Sequence, residues 1–174
     1  MGHWGYFVVG RSERPLADSE ALAGVAGLVS RTAAPGGWQI WECPGTETGI
    51  GSMSALARET GAPALFGYVM DSACVAVEAA VPSGEAWSTC LARQAMARRL
   101  GGGDGGLGVD DYFLEPADAA ERAVAWAAEA GHEVTAGELS EVLEAEPEAP
   151  VTEAGELAEN LFFTFLDRLG VVPL

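Results

Sequence analysis

Apolar positions along the first hundred residues follow two different spacings, and each change of spacing marks an element. Residues 3–10 (His-Trp-Gly-Tyr-Phe-Val-Val-Gly) concentrate aromatic and β-branched side chains and predict a strand. Beyond Pro15 and Asp18, Leu22, Val25, Ala26 and Val29 fall on one helical face, so a helix is expected there. Gly24 and Gly27 inside it each cost about 1 kcal/mol relative to Ala, which makes that helix dependent on packing. Pro35-Gly36-Gly37 stops it. Trp38–Cys43 predicts a second strand, in which Trp38 and Trp41, three positions apart, point to opposite faces. A short helix is expected near 53–60, closed by Gly61.

Residues 64–91 carry the clearest pattern. Three apolar runs separated by Asp71-Ser72 and Pro82-Ser83-Gly84 predict an antiparallel meander of strands 64–70, 74–81 and 86–91. Three-residue loops at 71–73 and 83–85 place Leu65, Val69, Val75, Val77, Ala79, Val81, Trp87 and Leu91 on one apolar face. The other face then holds Phe66, Tyr68, Met70, Cys74, Ala76, Glu78, Ala80, Ser88 and Cys90, with Glu78 opposite Phe66 on one side and Cys90 on the other.

Helical periodicity dominates afterwards. Helices are expected over 91–100, 117–130, 135–145 and 153–169, the third opened by the capping-box pattern Thr135-Ala136-Gly137-Glu138. The last gathers Leu157, Leu161, Phe162, Phe165, Leu166 and Leu169 on one face. Between the first two, residues 101–108 are mostly glycine and read as a loop or linker. The order of elements predicts an α+β fold: a single sheet of about five strands including the 64–91 meander, with a helical C-terminal third packed on it. Residues 1–100 form the sheet region, and 109–174 the helical region docked as part of one domain.

Composition narrows the function classes. An apolar fraction of 49% excludes whole-chain disorder. No run of about 18 apolar residues exists to cross a membrane, and the N-terminus lacks the basic region of a signal peptide, so a cytoplasmic protein is expected. The net charge is −17, and every basic residue is Arg. Residues 115–174 hold 14 carboxylates against Arg122 and Arg168, a balance of −12. Such a chain repels phosphate backbones and anionic lipid, so neither nucleic acid nor membrane is an expected partner.

Recognisable catalytic motifs are missing. Cys43, Cys74 and Cys90 have no CxxC spacing, and His3 and His132 are the only histidines, so no metal is expected. Gly103-x-Gly105-x-x-Gly108 resembles a dinucleotide fingerprint in letters alone. It follows a helix instead of a strand and leads into Asp110-Asp111, so no cofactor is expected. Without Lys there is no P-loop, and no Gly-x-Ser-x-Gly elbow occurs. The sequence therefore points away from an enzyme and toward a non-catalytic protein–protein interaction module of the immunity or inhibitor kind. Its expected partner is a basic protein, met by an acidic surface that includes Glu141, Glu144 and Glu148. The alternative is a small-molecule site, or a modest carboxylate enzyme, on the sheet face around Phe66, Tyr68, Glu78 and Cys90. A carboxylate in a central strand is costly if buried unpaired, which makes Glu78 the odd residue of that face.

Overall fold

Strand β1 (Gly5–Arg11) buries Phe7, Val8 and Val9 on alternating sides, so it needs cover on both faces. The computed structural model, which describes residues 4–23, 25, 27–33, 35–44, 52–83, 85–99, 112–145 and 158–171, shows how that cover is supplied. β1 lies inside one antiparallel sheet with β2 (Val29–Ala33), β3 (Trp38–Pro44), β4 (Ala64–Met70), β5 (Cys74–Ala80) and β6 (Ala86–Leu91). The strand order is β2-β3-β1-β4-β5-β6. The expected α+β architecture is present, with a helical C-terminal third on the sheet and six strands in place of about five.

The extra strand replaces the helix expected after Asp18. Two single 3-10 turns, Leu16–Asp18 and Glu20–Leu22, occupy the start of that stretch, and Val29 opens β2. Gly27 adopts φ +82°, which breaks any continuing helix, and the β-branched Val29 and Thr32 then favour extended backbone. Every residue of β2 is exposed. Its pairing with β3 slips between Ser30 and Thr32, and Arg31 Nε reaches to 2.6 Å from Glu42 Oε1.

The meander forms with a corrected second register. Met70 pairs with Cys74 across the expected 71–73 turn, and Phe66 stands opposite Glu78. The second turn comes one position earlier than the 83–85 loop expected, because Val81 N–H donates to the Glu85 carbonyl at 3.1 Å. Glu78 therefore faces Ser88, and Cys90 faces Ala76. The slip is two residues, an even number, so every side chain keeps its predicted face.

Helices cover the sheet on both sides. Helix α3 (Pro116–Glu129), α4 (Ala136–Glu144) and α5 (Ala158–Leu169) pack on the face of Leu65, Val69, Val75, Val77, Ala79, Val81, Trp87 and Leu91. Thr135 Oγ1 accepts from Glu138 N–H at 3.3 Å and starts α4, as the capping pattern requires. Trp38 joins this core against Trp126 of α3, their ring centres 5.8 Å apart. On the other face, α1 (Met53–Thr60) and the 3-10 turns enclose Val8, Cys43, Ala64 and Ala80. Trp41 sits there, half-buried, with its indole N–H on Gln39. Helix α2 (Arg93–Arg99) covers a separate patch of Cys74, Cys90 and Met96. The glycine-rich segment 101–108, with the domain boundary expected there, lies outside the described residues, as does Glu148.

Candidate functional site

The side chains that alternation assigns to the second sheet face do not form one site. Two helices divide them, and between the helices runs an aromatic strip. Glu78 belongs to α1. Its Oε2 accepts from the Met53 backbone N–H at 3.3 Å, while Ser52 Oγ accepts from Ala55 N–H at 3.2 Å. Both satisfy donors that the first turn of a helix leaves without partners, and the carboxylate also meets the positive end of the helix dipole. The odd carboxylate is thus an anchor that ties α1 to the sheet. Glu78→Gln is expected to cost about 1 kcal/mol in urea melts and to speed hydrogen exchange at the Met53 amide. An unchanged melt with unchanged exchange would deny the anchoring role.

Cys90 lies under α2, fully buried. Arg93 Nη1 approaches its sulfur at 3.9 Å and donates to the Leu114 carbonyl at 3.0 Å. Cys74 Sγ is 4.0 Å from Met96 Sδ in the same patch. These sulfurs fill a small apolar core and have no opening to a substrate.

Phe66 and Tyr68 form the open part of the face. Tyr6 stacks on Tyr68 at 4.3 Å and 18°, and meets Phe66 edge-on at 5.4 Å. Trp4 extends the strip, 6.4 Å from Tyr68. All four rings are half-buried. Burial first, then Tyr68 and Cys43, pushes the Tyr6 phenol above its ordinary range. Burial, and after it Glu42, likewise raises the Cys43 thiol. A thiol shifted this way forms the nucleophilic thiolate less readily. His132, just past the end of α3, is half-buried in the helical layer across the sheet, within reach of Gly170. Among the described residues no group of three or more His, Cys, Asp or Glu side chains is placed to hold a metal ion.

The acidic surface takes a definite shape. Glu115, Asp118, Glu121 and Glu129 on or beside α3, and Glu133, Glu138, Glu141 and Glu144 on or before α4, are all exposed. Glu141 and Glu144 line a shallow depression of about 370 Å³ between α4 and α5, together with Val142 and Leu161. Both arginines of the layer are already engaged. Arg168 Nη1 holds Glu141 Oε2 at 2.8 Å and the Glu138 carbonyl at 2.9 Å, and Arg122 reaches Glu85 at 3.3 Å.

A wider cleft of about 740 Å³, absent from the expectations drawn from sequence, opens at the far end of β1. Arg11, Arg14, Gly37 and Glu59 are among its walls. Its parts are scattered over more than forty positions of the chain, and the one local signal was the polar Gln39 between Trp38 and Ile40. Comparison with known proteins finds no match: no family model, no curated protein and no solved structure.

Proposed function

We propose that this chain is a non-catalytic binding module that holds a basic protein partner against the outer surface of its helical layer. One observation carries the reading: exposed carboxylates crowd α3 and α4, and the two arginines of that layer are already paired. Neither arginine is left to answer the remaining negative field, so a basic surface would. The depression beside Glu141 and Glu144 adds an apolar floor in Val142 and Leu161, the combination of rim charge and buried contact found at protein interfaces. The small-molecule reading of the Glu78 face loses support, because Glu78 and Cys90 are both engaged in holding helices.

The test uses a basic protein retained from native lysate by the immobilised full chain, then purified. Its association rate should fall several-fold between low and physiological salt, with a smaller change in dissociation. The Glu141→Gln/Glu144→Gln variant should associate more slowly at an equal or slightly higher melting temperature. Both residues lie toward the negative end of the α4 dipole, and the exposed Glu141–Arg168 pair contributes little, so stability should hold or rise slightly. Unaltered kinetics in the variant, or no basic protein retained, overturns the proposal.

A further inference from the structure

We propose a second binding site, beyond the acidic surface: the cleft at the end of β1 takes a small oxyanion, a carboxylate or phosphate group, between Arg11 and Arg14. Its volume of about 740 Å³ falls in the usual range of small-molecule sites, roughly 300–1,000 Å³. Arg31, Arg122 and Arg168 each hold a carboxylate. Among the described residues the guanidinium groups of Arg11 and Arg14 have no such partner, although both line one cleft. In a chain with almost three acidic residues for each arginine, two unengaged arginines three positions apart, one ending β1 and one in the turn after it, are a notable concentration.

The turn that follows Arg11 and carries Arg14 is held from beneath. Gln39 Nε2 donates to the carbonyls of Ser12 and Arg14, both at 3.0 Å. Its Oε1 accepts from Leu16 N–H at 2.9 Å and from the Trp41 indole N–H at 2.8 Å. Ser12 N–H reaches the Gly37 carbonyl at 3.1 Å. The backbone is thus bonded inward, which fixes the loop before any ligand arrives and lowers the ordering cost of binding. Across the cleft, Glu59 accepts from Glu20 and Ala21 N–H, one to each oxygen, both at 2.9 Å. Its carboxylate therefore stays with the 3-10 turn and leaves the arginines to a ligand. Glu13, exposed on the same loop, lowers the net positive charge. Selection then rests on the planar fork of a guanidinium, which matches two oxygens at once.

Nuclear magnetic resonance titrations of the full chain with inorganic phosphate and, separately, citrate at constant ionic strength test the site. Saturable shifts of the Arg11 and Arg14 side-chain N–H signals and of the Ser12–Arg14 amides are expected with at least one anion. The responding anion identifies the source of the oxyanion. Arg11→Gln/Arg14→Gln should weaken that binding about tenfold or more, since charge-assisted bonds are worth about a decade each. The Trp41 indole signal, which reports the Gln39 clamp, should keep its position in the variant. Arg11→Lys/Arg14→Lys, which keeps charge and loses the fork, should also bind more weakly than the parent chain. No saturable response to either anion, or equal affinity in the Gln or the Lys variant, overturns the proposal.

Discussion

Gly67→Ala should destabilise the fold by about 3 kcal/mol, at the upper end of what overpacking a core costs. Gly67 lies in β4 between Phe7 of β1 and Val77 of β5, so the ladder holds its backbone from both sides. A Cβ there would sit 2.5 Å from Phe162 Cε1 and 2.6 Å from Cδ1. The ring of Phe162 is fully buried, with Phe7 at 6.0 Å and Phe163 at 5.9 Å, and cannot swing aside. Glycine is thus the residue that lets α5 approach the sheet. Urea melts supply the measurement. Phe162→Leu on the Gly67→Ala background should cost less than it does alone, because the two sites are in contact and their effects are not additive. Equal costs on both backgrounds would show that α5 is seated elsewhere.

Trp126→Ala should cost about 4 kcal/mol, within the range for truncating a buried aromatic. The side chain is 1% exposed, packs on Trp38, and bridges two strands: its indole N–H lies 3.2 Å from the Ala64 carbonyl and 3.1 Å from that of Ala80. Trp126→Phe separates the two contributions. It keeps much of the apolar contact but removes the donor, and should cost about 1–2 kcal/mol. A Phe variant as unstable as the Ala variant would mean that the hydrogen bond, and not the ring volume, seats α3.

Short-range patterns carried the elements that depend on short-range physics. Alternation over 64–91 suffices to sort Leu65, Val77 and Trp87 from Phe66, Tyr68 and Glu78, because strand geometry sends neighbours to opposite faces whatever lies beyond them. The same parity rule hid the register slip at Val81–Glu85, since a shift of two leaves the pattern intact. Residues 16–33 misled for a related reason. The spacing of Leu22, Val25, Ala26 and Val29 suits a helix, yet Leu22 is buried by a 3-10 turn and Val29 is 50% exposed on an edge strand. Glu78 was visible as an anomaly, but its partner is a backbone N–H of α1, and no side-chain pattern announces a backbone donor. The Arg11–Arg14 cleft depends on Gln39 and Glu59 arriving from distant positions, which only the assembled sheet brings about.

The irregular β2 and its counterpart at the opposite margin have a consequence for behaviour at high concentration. A flat outer strand is a template on which further copies can add without limit, growing a fibre. Here the slip between Ser30 and Thr32 disturbs the regular spacing of that template, and Arg31 places charge beside it. At the other margin Leu114 N–H occupies the Ser88 carbonyl at 2.9 Å, and Thr89 Oγ1 and Arg93 both donate to the Leu114 carbonyl. An incoming strand would have to displace these bonds at one side and match a broken repeat at the other. The sheet is thereby guarded against polymerising through its margins, a protection that operates independently of the repulsion between acidic surfaces and so persists when salt screens that repulsion away.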